Sequence, residues 1–249
     1  MHESHRDAAR LGMTRRQRRT AQGEPGSDST LQPRSPLSSL FDAAPAPDRA
    51  RDGAPSLLTM CTGNVCRSPM AEALLRTRLS DLGVVVRSAG THALVDEQMT
   101  PEALRLAVAG GADEHHAARH RARLVHERML LEADLILTMT REQRALAVQL
   151  APSRLHRVFP VREFARLARS FSDDELLDAA DGGGDNTRAR LGSTVITISH
   201  RRGLETGGAL DEDDVIDPYR QSADVYEQSA RELIPALDEV ERVVRLALE

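Results

Sequence analysis

From Ser56 onward, short apolar runs alternate with longer stretches in which apolar residues recur every three or four positions. Leu57 to Met60 reads as a short buried strand. Ser68 to about Leu82 reads as a helix, with Ser68 as its cap, Pro69 at its first position and Gly83 at its end. Val84-Val85-Val86 is a second strand opening into Ser88-Ala89-Gly90-Thr91, and Thr100-Pro101-Glu102 starts a helix that runs to Gly110-Gly111. After a polar, His-containing turn, Leu124 to Ala133 reads as helix and Asp134 to Met139 as a third buried strand. Arg141 to Leu150 is helical, Val158-Phe159 is a short fourth strand, and Val161 to Ser170 is helical again. Strands alternating with helices predict an α/β fold: a four-stranded parallel sheet with helices on both faces and a loop for chemistry after the first strand.

Two regions depart from this rhythm. Residues 1–54 carry Arg15-Arg16, Arg18-Arg19 and Gly, Ser and Pro clusters without a lasting period. They read as a disordered N-terminal extension, either a dispensable tail or an interaction arm. Residues 55–249 form the folded domain, interrupted at about 171–213 by a stretch that reads as an insertion. Its β-branched run Ser193 to Ser199 is locally strand-like but has no evident partner. Asp213 to Tyr219 is a turn, since Pro218 biases Asp217 away from helix. Ser222 then caps a long amphipathic helix to about Leu248, with a kink expected at Pro235.

Composition narrows the class. A 40% hydrophobic content supports a core, but with 2% aromatic residues and no Trp it must be filled by Leu, Val, Ile and Ala. The net charge of -5 argues against a nucleic-acid partner, and all 33 basic residues are Arg, so a single surface Arg says little. Two cysteines in one loop are no disulfide framework, which points to a reducing, cytoplasmic setting. No apolar stretch is long enough for a membrane span, and the charged N-terminus has no apolar segment behind it, so neither membrane insertion nor a secretory signal is expected.

The candidate chemistry lies in Cys61-Thr62-Gly63-Asn64-Val65-Cys66-Arg67-Ser68-Pro69. A strand, a Gly/Asn turn and a helix start in that order can turn successive backbone N–H groups onto one anion, helped by the positive end of the helix dipole. The same field stabilises a thiolate, so nucleophile and anion site coincide at Cys61. Phosphoryl transfer through cysteine also needs a cationic clamp and an acid for the leaving oxygen. Arg67 offers a fork for two phosphate oxygens, and Asp217, held extended by Pro218, is the best carboxylate. His116 and His120 lie four apart, but no carboxylate or thiolate completes a ligand set nearby, so no metal and no cofactor are expected.

Cys61 to Pro69, Ser88 to Thr91, His120-Arg121-Ala122-Arg123, Ala133 to Met139 and Asp217-Pro218-Tyr219, in that order, resemble the low-molecular-weight protein tyrosine phosphatases of bacterial type. The resemblance runs from about Ser56 to the C-terminus, omitting the extension and most of 171–213. It implies that Cys61 attacks phosphorus, that Arg67 and the loop Thr62 to Ser68 bind the phosphate, and that Asp217 protonates the leaving phenolate and then activates water. It also implies that Ser68 hydrogen-bonds the Cys61 sulfur, while Ser88 and His120 buttress Asn64 in a left-handed conformation. Cys66 would pair reversibly with Cys61 on oxidation, its alternative being a small buried filler. Tyr219 and Val65 would wall the substrate pocket.

Tyrosine-directed members carry an aliphatic residue where Val65 stands, and the related protein-arginine phosphatases carry Thr, so Val65 leans toward phosphotyrosine. The Ser-Pro-Met-Ala-Glu continuation resembles the arginine phosphatases, which keeps them as the alternative. Arsenate reductase shares the loop but needs a further relay Cys that this chain lacks. A dead phosphoprotein-binding module would have lost Cys61, Arg67 or Asp217. The implied partner is a phosphorylated protein, with a tyrosine kinase of polysaccharide export as one candidate, and the implied state is a monomer.

Overall fold

The computed structural model describes residues 53–203 and 213–249; the extension expected at 1–54 lies almost wholly outside them, as does 204–212. Four parallel strands, β1 (Ser56–Cys61), β2 (Val85–Gly90), β3 (Leu135–Thr138) and β4 (Val158–Pro160), line up in the order β2-β1-β3-β4. Because successive strand residues face opposite sides, the strands feed two cores. Leu57, Leu135, Leu137 and Phe159 face one, and Leu58, Met60, Ile136 and Val158 face the other. The chain leaves β1 toward β2 on one side and returns to place β3 on its other side. The reversal falls at the carboxyl end of β1, where Cys61 lies, which is where open α/β sheets keep their sites.

Helices cover both faces. The first face carries α1 (Arg67–Arg78) and α2 (Pro101–Ala109), then α6 (Val161–Ala168), α7 (Asp173–Asp181), α8 (Thr187–His200) and α9 (Ala223–Leu248). The second carries α4 (Glu127–Glu132) and α5 (Arg141–Leu150), while the short α3 (Glu114–Ala118) precedes His120. α1 begins one residue before Ser68, with Cys66 at the cap position, so Pro69 sits in its first turn rather than at its first position. Leu124 is not helical: it forms a bridge with Gly90, and α4 starts only at Glu127. α9 runs through Pro235, and among the described residues no helix is long and apolar enough to cross a membrane.

The strand-like reading of Ser193–Ser199 is corrected: the whole run lies inside α8. Leu191, Val195 and Ile198 recur at helical spacing and are fully buried, so packing against α7 and α9 overrides the β-branched preference. Asn186 caps the helix by accepting from the Ala189 N–H at 3.0 Å. Arg188 then binds the buried Asp134 through Nε at 2.9 Å and Nη2 at 3.0 Å, and the same carboxylate accepts from the Ser56 N–H at 2.9 Å. One guanidinium thus ties α8 to the entrances of β1 and β3.

Candidate active site

The loop after β1 is oriented from outside. The carbonyls of Cys61, Thr62 and Gly63 accept from the N–H groups of Thr91, His92 and Leu94 at 2.9, 3.0 and 3.0 Å. The Asn64 carbonyl accepts from His120 Nε2 at 2.8 Å, and that of Val65 from the Thr100 N–H at 2.9 Å. Five consecutive carbonyls therefore point outward. In a planar trans peptide the N–H lies opposite its carbonyl, so the N–H groups of residues 62 to 66 turn into the loop. The Asn64 N–H reaches Cys61 Sγ at 3.2 Å, as this requires. The chain passes close enough to β2 that a Cβ on Gly90 would fall 2.4 Å from the Thr62 carbonyl, so only glycine fits there.

Asn64, fully buried at φ 56°, sets the direction of a hydrogen-bond chain. Its Oδ1 accepts from the Arg123 N–H at 2.9 Å, which leaves Nδ2 to donate to Ser68 Oγ at 2.9 Å and Ser88 Oγ at 2.8 Å. Ser88 donates onward to Glu72 Oε2 at 2.6 Å. Ser68 Oγ accepts from Asn64 and lies 3.0 Å from the Cys61 sulfur and 3.5 Å from the Ala89 carbonyl, so its hydrogen can serve either. The chain thus runs from Asn64 in two directions, through Ser88 to the Glu72 carboxylate and through Ser68 to the Cys61 sulfur. His120 Nε2 must carry a hydrogen to reach the Asn64 carbonyl. Burial holds the pKa of this imidazole below its ordinary value, while the Asn64 carbonyl and Glu72 act in the opposite sense.

Arg67, only 3% exposed, faces the loop carrying the acid. Its Nη1 donates to the Val215 carbonyl at 2.9 Å, and its Nη2 pairs with Asp217 Oδ2 at 2.6 Å. That loop is hung from three elements. The Val215 N–H donates to the Met139 carbonyl at 2.8 Å, the Ile216 N–H to Glu232 Oε2 at 2.9 Å, and the Arg141 N–H to Asp214 Oδ1 at 2.8 Å. Asp217 Oδ1 accepts from the Tyr219 N–H at 3.2 Å, closing a local turn. Cys61, Thr62, Gly63, Val65, Cys66, Arg67, His92, Leu94, Asp217 and Tyr219 line one pocket of about 130 Å³.

Residues 56–195 match the family model described as low molecular weight phosphotyrosine protein phosphatase. The chain belongs to this family. It is 45% identical over 98 residues to the low molecular weight protein-tyrosine-phosphatase Etp of Escherichia coli K12, a match covering 39% of this chain and 62% of that relative. It is 28% identical over 179 residues to the protein-arginine-phosphatase of Bacillus subtilis, covering 71% of this chain and 88% of that one. The crystal structure of the low molecular weight protein tyrosine phosphatase from T. tengcongensis superimposes with a TM-score of 0.51 at 27% identity, covering 75% of this chain and 97% of that one.

In this member of the family, Cys61 and Cys66 are both buried and unpaired. The Cys66 thiol lies 3.5 Å from both the Thr100 and Tyr226 hydroxyls, and burial pushes its pKa up while those two hydroxyls pull it down. Burial likewise pushes the Tyr226 phenol up to about 12. The histidine turn is corrected in one respect. His120 is part of the loop's support, but Asp113 joins His115 and His116 in an exposed group whose donor atoms lie within 4.8 Å of one another, so a carboxylate does stand nearby.

Two residues of the site were not singled out from the sequence. Glu72 terminates the Asn64 chain. Gln143 accepts from the Met139 and Thr140 N–H groups through Oε1 and donates from Nε2 to Thr62 Oγ1 at 3.1 Å, joining the end of β3 to the loop. The signal for Gln143 was present as the capping box Thr140-x-x-Gln143 at the start of α5. Glu72 lies one helical turn beyond Ser68 on α1 and so faces the same way.

Proposed function

We propose that the protein is a cysteine-dependent phosphatase that hydrolyses protein phosphotyrosine through a phosphocysteine intermediate. Cys61 Sγ attacks phosphorus, forming the S–P bond as the bond to the phenolic oxygen breaks, and Asp217 delivers a proton to that oxygen. Arg67 and the N–H groups of residues 62 to 66 hold the three equatorial oxygens, where charge builds in the transition state. Water then attacks phosphorus as Asp217 takes its proton. The S–P bond breaks, and thiolate and inorganic phosphate are released.

The observation that carries this reading is the convergence on one pocket of inward N–H groups, a sulfur receiving hydrogen bonds, and an arginine clasping a carboxylate from 150 residues away. Ser68 lowers the energy of the thiolate through its aimed hydrogen, while Ser88, His120 and Glu72 keep Asn64 in its left-handed conformation. Val65, Leu94 and Tyr219 offer apolar surface to an aromatic ring, and Cys66 shields the nucleophile by pairing with it on oxidation. The substrate is a phosphorylated protein, with a kinase of polysaccharide export as the candidate carried over from the family resemblance. The reading keeps residues 1–54 as an extension of a cytoplasmic, monomeric domain spanning 55–249.

A second reading, a protein-arginine phosphatase, has its own support in the Bacillus subtilis relative, which the chain matches over more of its length than it matches Etp. Rates of the intact protein on phosphotyrosine and phosphoarginine peptides separate the two. The expected result is a higher kcat/KM on phosphotyrosine, with Val65→Thr shifting the ratio toward phosphoarginine. The reverse preference in the unmodified protein assigns it to the second reading.

A further inference from the structure

Three depressions adjoin one another at the carboxyl edge of the sheet. The phosphate-loop pocket shares Thr62, Arg67 and Asp217 with a groove of about 500 Å³, and that groove shares Arg162 and Glu232 with a depression of about 340 Å³ between α6 and α9. The charge changes sign along this path. The groove carries Glu142, Asp214, Asp217 and Glu232 against Arg67 and Arg162. The far depression gathers Arg162, Arg166, Arg169 and Arg231 against Asp213 and Glu232.

Arginine is common on this chain, so exposure alone would mean nothing. What distinguishes these side chains is their convergence from two helices in a protein whose net charge is -5. Arg162, Arg166 and Arg169 fall at i, i+4 and i+7, along one face of α6 and its last turn, and span roughly 10 Å at 1.5 Å per residue. Arg166 is committed to the buried Asp213, with Nε at 3.3 Å and Nη2 at 3.2 Å. Arg162 and Arg169 hydrogen-bond to backbone carbonyls, those of Asp214 at 2.9 Å and Pro235 at 3.3 Å, and neither makes an ion pair among the described residues. Arg231, 68% exposed, comes no closer than 3.9 Å to Glu227. Each guanidinium carries five N–H donors, and Arg162, Arg169 and Arg231 all line the depression.

We propose that this arginine depression holds an acidic side chain of the same polypeptide that presents the phosphorylated residue. The inference rests on the phosphatase reading and deepens it to a substrate class. The acidic groove between the two pockets disfavours carboxylates immediately beside the phosphorylated residue. The preferred substrate therefore carries its phosphate, then a neutral or basic spacer, then glutamate or aspartate.

The test compares tyrosine-phosphorylated peptides bearing Glu roughly three to six residues from the phosphotyrosine, on either side, with the same peptides bearing Gln, and with a small aryl phosphate as reference. The Glu series is expected to show about fivefold higher kcat/KM than the Gln series, the scale of one or two partly exposed ion pairs. That advantage should fade in about 0.5 M salt. In the Arg169→Gln/Arg231→Gln variant it should disappear, while turnover of the aryl phosphate stays unchanged. Either single variant serves if the double loses its melting transition. No advantage in the unmodified protein, an advantage retained in the variant, or a preference for Lys at these positions would overturn the inference and leave the phosphatase reading standing. An advantage lost as the enzyme concentration is raised would assign the depression to a second copy of the chain and would also overturn it. Absence of turnover on the aryl phosphate would instead overturn the phosphatase reading, and the inference with it.

Discussion

On the side of Cys61, the five carbonyls of residues 61 to 65 and the Asn64 side chain all have partners inside the protein, and Asn64, Ser68 and Ser88 are inaccessible to solvent. On the side of Asp217, the side chain is 51% exposed, Ile216 and Arg220 are exposed too, and the loop is held by a few tethers to Arg67, Met139, Glu232 and Arg141. The difference suits the roles proposed for the two sides. In the proposed mechanism Cys61 is the nucleophile and its loop the anion cradle, and both need fixed directions, because a hydrogen bond misaimed by a few tenths of an ångström loses much of its worth. Asp217, the proton donor of that mechanism, has to admit a protein substrate and release the product, which suits a loop hung from its surroundings rather than packed within them. Arg67 belongs to both sides and bridges them directly.

The comparison can be broken most severely at the sulfur. Cys61→Ser is expected to leave no measurable hydrolysis of an aryl phosphate while retaining the fold, since Ser is smaller and the cradle is held from outside; residual turnover near the original rate would remove Cys61 from the chemistry. Asp217→Asn comes next, with kcat lower by about 10² to 10³-fold, because general acid catalysis is worth that much, and KM changed by less than about threefold. A loss confined to KM would make the loop a binding element instead. Asn64→Ala should cost about 2 to 4 kcal/mol of stability, from unpaired buried groups and a left-handed backbone that alanine resists. It should also lower kcat by roughly tenfold, read by chemical denaturation and steady-state rates together. If Asn64→Gly, which tolerates the backbone, recovers stability but not rate, the hydrogen-bond chain acts on the sulfur as well as on the fold.

The smallest effect concerns Tyr226, behind the cradle. Its phenol holds its proton to about 12 in the folded protein against the ordinary 10.0. Between those values the unfolded chain binds fewer protons than the folded one, so stability falls as pH rises through that window. Tyr226→Phe should flatten this alkaline fall in melting temperature and leave the melt at neutral pH within a few degrees; an unchanged alkaline slope would place its origin elsewhere.

Much of the rigid side was legible in the sequence because it is local: a strand, a turn and a helix start within the dozen residues around Cys61, with Asn64 the one non-glycine residue of that stretch suited to a positive φ. Asp217 was legible through Pro218, again a local cue. Glu72 was not, since it acts through Ser88, a partner brought near by the sheet, and the capping box that marks Gln143 carries no sign of its bond to Thr62. The run within α8 misled for the opposite reason. Its residues satisfy a strand's preference for β-branching and a helix's spacing at once, and only the buried trio Leu191, Val195 and Ile198 decides between them.

The tether between Arg67 and the acid loop spans 148 residues to Val215. During synthesis the cradle and its sulfur therefore leave the ribosome long before the carboxylate that completes them. The Ile216 tether needs Glu232 in the last helix, so the loop bearing Asp217 gains that anchor only after the cradle has been made. A chain truncated within α9 ahead of Glu232 would therefore keep both Cys61 and Asp217 but lose the tether that holds the loop between Val215 and Asp217.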